Sequence, residues 1–331
     1  MNKHTGRKVG TRIVLFVLLG IILITIGIRV QGDTKQEENY HLIFIPKTID
    51  ESNDFWTALI EGAELGAEEF GAEIEVKGGR SEDDIDTQIK TIEESIKKKP
   101  DAILVAPSDY SALDEVLQKV VDAGIPLIYI DSTTENEIAD CVISTDNYVA
   151  GKELGTYAKS LLESDSKIGI MGHVKETSTE MERENGIREG LGEYRDNIVE
   201  VLYCDSSYEK AYNQTKIMLA KHPDINLIIG TNEYAAVGTA RAIKDMGLQG
   251  KVKMVGFDNS VEEIQLLEEG VFEAIIIQKS FNMGYMGVEE AIGLLQGKPV
   301  EKNLDSGCKL ITRENMYEEE NQRLLYPFSG Q

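Results

Sequence analysis

From residue 41 onward the chain keeps one rhythm: short apolar runs rich in β-branched residues alternate with longer stretches whose apolar positions recur at helical spacing. That alternation restricts the fold to α/β with parallel sheets, because a helix between two strands returns the chain to start the second strand in the direction of the first. The predicted strands are 41–46, 73–77, 102–106, 126–130, 140–144, 167–172, 198–203, 226–230, 252–257 and 272–277, with helices between most of them. Gly71, Gly124 and Gly247 stand where helices should close, and Asp146 where one should be capped. For 331 residues, two sheets of about five or six strands fit better than one open sheet. The first cut between them falls near 145–150.

The net charge of −24 argues against a nucleic-acid partner, since phosphate binding needs a basic surface. Cys141, Cys204 and Cys308 are widely spaced, sit in or beside apolar runs and form no C-x-x-C pair, so they read as small buried hydrophobes. His4, His41, His173 and His222 lack metal-ligand spacing, and no metal or cofactor is expected. There is no G-x-S-x-G elbow, phosphate loop, H-E-x-x-H or G-x-G-x-x-G, and "KGGR" at 77–80 reads as a turn between strand and helix. An enzyme is therefore not expected. Before the first strand, Lys3, Arg7, Lys8 and Arg12 precede an uncharged run over 13–28, which predicts export through a signal peptide or retained anchor over 1–32, with 33–40 as a linker. No cysteine follows that run, which excludes a lipoprotein anchor.

In open α/β sheets ligands sit beyond the carboxyl ends of the strands, so the informative residues lie just after each apolar run. That rule selects Lys47, Asn53, Phe55 and Trp56 after the first strand, Asp131 and Ser132 after the fourth, and, further on, Arg183, Tyr208, Asn232, Asp258 and Gln278. Carboxylates and amides can each engage two neighbouring hydroxyls, and the Arg183 guanidinium offers a fixed fork of donors. Aromatic faces cover the C–H faces of a sugar ring while its hydroxyls are held at the edge. The set is a carbohydrate-binding inventory, although each residue alone could be a helix cap or turn former. In "IDESNDFW" the adjacent Phe55 and Trp56, the latter the only tryptophan of the chain, could be core or cleft wall.

Seven segments, in order, resemble a known family: "NDFWTALIEGAELGAEEFGAE", "PDAILVAPSDYSALDEVLQKVVDAGIPLIYIDS", "STDNYVAGKELG", "TSTEMERENGIREGL", "HPDINLIIGTNEYAAVGTARAI", "VKMVGFDNS" and "IIIQKSFNMGYMGVEEAI". They are similar to the type I periplasmic solute-binding proteins, in the ribose-binding-like sugar group that serves ABC transporters. The resemblance covers almost all of 41–315 and implies two Rossmann-like lobes joined by a three-crossover hinge, the first of 41–145 plus 279–305 and the second of 146–278 plus 306–325. It implies ligand contacts for Asn53, Phe55, Trp56, Asp131, Arg183, Asn232, Asp258 and Gln278, and for Tyr208 where the local spacing falls short of the pattern. Two positions depart from it: the ribose-binding pattern has Arg where this chain has Ser132, and Asp where it has Glu233. Ser132 removes a bidentate donor, which puts ribose itself in doubt. Lys47 resembles a branch with Lys at this place and Asp-Ser closing the fourth strand; it either replaces the lost charge or is a solvated loop lysine.

The resemblance implies a monosaccharide ligand and an ABC permease as partner. The alternative is a receptor held in the membrane by its N-terminal helix that signals to a histidine kinase. A sugar-responsive repressor shares this fold but needs a helix-turn-helix before the first strand, and residues 1–40 hold an apolar run instead.

Overall fold

The computed structural model describes residues 39–326. The signal or anchor expected over 1–32 and residues 33–38 of the linker lie outside the described residues. In the first lobe β1 (His41–Ile45), α1 (Asp54–Phe70), β2 (Glu73–Val76), α2 (Ile85–Lys98), β3 (Ala102–Val105), α3 (Asp114–Asp122), β4 (Leu127–Ile130) and β5 (Cys141–Ser144) follow the strand–helix rhythm of the sequence. The second lobe continues with α4 (Asn147–Ser160), β6 (Lys167–Gly172), α5 (Ser178–Leu191), β7 (Ile198–Tyr203), α6 (Tyr208–Lys221), β8 (Ile225–Gly230), α7 (Glu233–Asp245), β9 (Lys253–Phe257), α8 (Val261–Glu268) and β10 (Ala274–Gln278). Then α9 (Ser280–Leu295) and β11 (Asn303–Asp305) rejoin the first sheet, and β12 (Cys308–Thr312) and α10 (Glu319–Leu325) follow.

The strands form two six-stranded sheets, ordered β11-β5-β4-β3-β1-β2 and β12-β10-β9-β8-β6-β7. Every pairing is parallel except that of β10 with β12. The chain passes between sheets after β5, after β10 and between β11 and β12. The last two strands were not legible in the sequence: "NLD" is mostly exposed and "CKLIT" only partly buried, so neither reads as an apolar run.

Both faces of each sheet are covered, which is why the central strands are continuous apolar runs. Along β1, Leu42 and Phe44 pack with Leu59 of α1 and Met283 of α9, while Ile43 and Ile45 pack with Leu117 and Val120 of α3. In the second sheet Ile170, Ile229 and Phe257 face α4 and α5, and Met171, Ile228 and Met254 face α6 and α7. Helix ends follow the sequence cues: Gly71 closes α1 in a left-handed conformation at φ 67°, and Asp146 caps α4 by accepting from the Val149 N–H.

Close helix contact fixes the helix that carries Arg183. A Cβ on Gly186 of α5 would lie 2.2 Å from the Tyr148 carbonyl oxygen, and one on Gly151 of α4 would lie 2.4 Å from that of Arg183. Backbone atoms cannot rotate away as a side chain can, so only glycine lets α4 and α5 approach this closely. Gly186→Ala is expected to lower the unfolding free energy by about 1–3 kcal/mol, measured by urea denaturation. An unchanged midpoint and slope would contradict this packing account.

Candidate functional site

The carboxyl ends of the two sheets face each other across one cavity lined by residues of both lobes. Its lining takes Lys47, Asn53, Phe55, Trp56, Glu82 and Asp131 from the first lobe, and His173, Thr179, Arg183, Asn232, Asp258 and Gln278 from the second. The strand-end residues Lys47, Asn53, Phe55, Trp56, Asp131, Arg183, Asn232, Asp258 and Gln278 are thus brought together. Ser132 and Tyr208 are not among the lining. Ser132 donates its hydroxyl to the Pro107 carbonyl at 2.8 Å, which ties down the loop after β3, and the Tyr208 hydroxyl is taken up by Glu233.

Asp131 and Asp258 occupy the same position in the two sheets, one residue past β4 and β9. Both hold left-handed backbone, φ 67° and 81°, and each N–H donates to the neighbouring strand, to Ile143 at 2.9 Å and Ile276 at 2.8 Å. Left-handed backbone is unfavourable for residues with a Cβ, though less so for Asp than for most, and such residues cluster at ligand sites. Here it ends each strand with a carboxylate in the cavity. Asp131 accepts from Lys47 Nζ at 2.7 Å, with the two side chains 4% and 2% exposed. Lys47 is therefore not a solvated loop lysine; its ammonium lies 5.9 Å from the centroid of the Trp56 ring and 3.5 Å from Thr179 Oγ1 of the other lobe.

The two asparagines are helix caps and cavity residues at once. Asn53 Oδ1 accepts from the Trp56 N–H at 3.0 Å and Asn232 Oδ1 from the Ala235 N–H at 2.9 Å, which fixes both amide planes at helix N-termini. Trp56 is core and wall together: it is 2% exposed, packs with Leu59 and Phe44, and meets Phe55 in a T-shaped pair with centroids 5.1 Å apart. Arg183 is held by Nε to Asn147 Oδ1 at 2.8 Å, by Nη1 to the Thr231 carbonyl at 2.7 Å, and by stacking on Phe257 at 4.4 Å. Gln278 Nε2 donates to Asp258 Oδ1 at 2.6 Å, while its buried Oε1 has no hydrogen-bond partner.

Burial raises the Asp258 carboxyl above the ordinary carboxylate range, against the opposing pull of Arg183 and of its bonds from Gln278 and the Glu233 N–H. Behind the cavity, burial also works to raise Glu180, but the facing His173 imidazole, 2.5 Å away, and its hydrogen bonds bring that carboxyl below its usual range. His173 Nε2 and Thr179 Oγ1 lie 3.0 Å apart, so the dyad orients a hydroxyl that meets Lys47.

Glu82, His173 and Thr179 are lining residues that the sequence reading missed. His173 directly follows β6, where the strand-end rule pointed, and Thr179 precedes Arg183 by one helical turn on the same face. Glu82 had no such signal, since it lies beyond the "KGGR" turn and reaches the cavity by accepting from Trp56 Nε1 at 2.6 Å and from Ser206 Oγ of the other lobe at 2.6 Å.

Residues 43–299 match the model of the periplasmic binding protein domain, so the chain belongs to that family. Among curated proteins, the D-ribose/D-allose-binding protein of Pseudomonas aeruginosa is 27% identical over 262 residues, covering 77% of this chain and 82% of that protein. The ribose import binding protein of Escherichia coli is 25% identical, with 80% of this chain and 88% of that one covered. Among solved structures, a sugar transporter from Clostridium phytofermentans is 46% identical with a TM-score of 0.80, over 83% of this chain and 100% of that one. An ABC transporter solute-binding protein from Agrobacterium vitis with bound D-fucose is 31% identical with a TM-score of 0.81, over 86% and 100%.

Removing Lys47 leaves Asp131 as a buried, unpaired charge. Lys47→Met is expected to cost about 3–5 kcal/mol of stability in urea unfolding, much of it recovered in the double variant Lys47→Met/Asp131→Leu. A single-variant loss within experimental error would contradict the pairing.

Proposed function

We propose that the chain is an extracytoplasmic solute-binding protein that captures a sugar-like ligand between its lobes and delivers it to an ABC importer. The observation that supports this most strongly is the lining: planar amides, carboxylates and a guanidinium, each fixed by the protein at one end, beside the wall made by Phe55 and Trp56. Such groups hydrogen-bond vicinal hydroxyls in pairs, and the unpartnered Gln278 Oε1 is an acceptor for one of them. The left-handed aspartates of the lining are committed to Lys47 and to Gln278 with the Glu233 amide, and the Thr179 hydroxyl to His173 and Lys47. Binding is the chemistry it supports.

Asn53, Phe55, Trp56, Asp131 and Lys47 form the half-site of the first lobe, and Arg183, Asn232, Asp258 and Gln278 that of the second. The three passages between sheets act as the hinge: the open form takes sugar on one half-site, and closing adds the bonds of the other. One relative is described as a ribose import binding protein and one solved structure as an ABC transporter solute-binding protein, which favours delivery over signalling through a kinase. Export through residues 1–32, with attachment to the membrane where they are not cleaved, is part of this proposal.

A panel of pentoses and hexoses is expected to include at least one that raises the melting temperature, with a ligand at 100 times its Kd adding about 2.7 kcal/mol. Asp258→Asn should weaken that sugar by about 1–3 kcal/mol in calorimetric titration. No stabilisation by any monosaccharide, or unchanged affinity in the variant, would overturn the reading.

A further inference from the structure

Outside the cavity lining, Glu233 and Asp54 each reach from one lobe to a helix N-terminus of the other. Glu233, the first residue of α7, is 2% exposed and reaches the first turn of α1 in the other lobe. Its Oε1 accepts from the Asp54 N–H at 3.3 Å and its Oε2 from the Phe55 N–H at 3.1 Å. In the opposite direction, Asp54 Oδ2 accepts from the N–H of Val261, the first residue of α8, at 2.9 Å. The first N–H groups of a helix have no partner within it, and the helix dipole makes that end electropositive. Each lobe thus lends a carboxylate to donors that a helix of the other lobe leaves open. The Tyr208 hydroxyl bonds to Glu233 and lies 3.3 Å from the Ser52 carbonyl oxygen, and the Tyr234 hydroxyl donates to Asp50 Oδ2 at 3.0 Å beside it.

We propose that Glu233 and Asp54 are a reciprocal clasp that holds the two lobes together independently of ligand, each by capping the N-terminus of a helix in the opposite lobe. None of its bonds uses a group that lines the cavity, apart from the backbone N–H of Phe55. Glu233 also stands where the ribose-binding pattern carries Asp, and one methylene fewer would draw the carboxyl back from both amides. The consequence is a closed population that the sugar does not have to create entirely by its own contacts, and a slower release once it is bound.

The clasp is also sensitive to protons. Glu233 faces Tyr208 from α6, Asp258 beyond β9, Glu263 from α8, Asp54 from α1 and Arg241 from its own helix. Burial raises its carboxyl to about 8, with the charges of Asp258 and Asp54 adding and the bonds from Tyr208 and the Phe55 N–H opposing. Once the lobes part, Glu233 meets water and returns towards about 4.3. The closed form therefore binds more protons between those values. Its extra stability is fully present below the open-form value and is lost as pH rises through about 8. The protonated carboxyl donates to Tyr208 Oη, whose hydroxyl turns to the Ser52 carbonyl, while its two oxygens go on accepting from the Asp54 and Phe55 N–H groups.

Hydrogen exchange of the full-length chain in detergent, without sugar and read residue by residue, tests the clasp. At pH 6 the Asp54, Phe55 and Val261 amides of the wild type should be protected. Glu233→Ala should release Asp54 and Phe55, and Asp54→Ala should release Val261, each by about tenfold or more, with the amides of β4 and β9 unchanged as the folding control. Glu233→Gln should flatten the loss of protection that the wild type shows between pH 6 and 9. If the three amides exchange as free amides in the wild type, or stay equally protected in Glu233→Ala, the clasp is wrong. Neither outcome depends on which sugar the cavity takes.

Discussion

A carboxylate buried at the end of a parallel strand must be met by donors, and this requirement organises the molecule. Asp131 and Asp258 are placed by left-handed backbone at equivalent strand ends, facing the gap between the sheets. The chain supplies Lys47 to the first, and the Gln278 amide with the Glu233 N–H to the second. Each solution leaves some hydrogen-bonding capacity facing the gap between the sheets. A polar ligand completes what the fold leaves open, and an apolar one cannot.

The two lobes meet the same problem with different residues. In the first, an aromatic pair and a lysine surround the carboxylate; in the second, Arg183 sits over the Phe257 ring with two of its nitrogens already committed. Closely packed glycines hold α4 against α5, so Arg183 is positioned by backbone contact rather than by side-chain adjustment. Around the cavity, helix N-termini serve twice. Asn53 and Asn232 cap their own helices, while Glu233 and Asp54 reach to helices of the opposite lobe. Recognition and closure therefore draw on the same kind of group, the N–H donors that helix N-termini leave open.

Much of this was legible in the sequence because parallel strands buried on both faces are written as continuous apolar runs, and their ends are punctuated by polar residues. Nine of the strand-end side chains converge on the cavity. Ser132 and Tyr208 do not line it because their hydroxyls turn to local partners, Pro107 and Glu233, a choice that spacing does not encode. Glu82 was hidden by the length of the turn after β2, and β11 and β12 by their partial exposure. The question posed by Phe55 and Trp56 was also too narrow, since Trp56 belongs to the core and to the wall.

Trp56 is the only tryptophan of the chain, and it lines the cavity with its Nε1 bonded to Glu82, so its fluorescence reports directly on occupancy. Titration with the monosaccharide that stabilises the protein should give a saturable change in emission whose midpoint moves to higher concentration when Arg183 is replaced by Lys. An emission spectrum indifferent to every monosaccharide, or a midpoint unchanged by that replacement, would contradict a sugar bound between the two sheets.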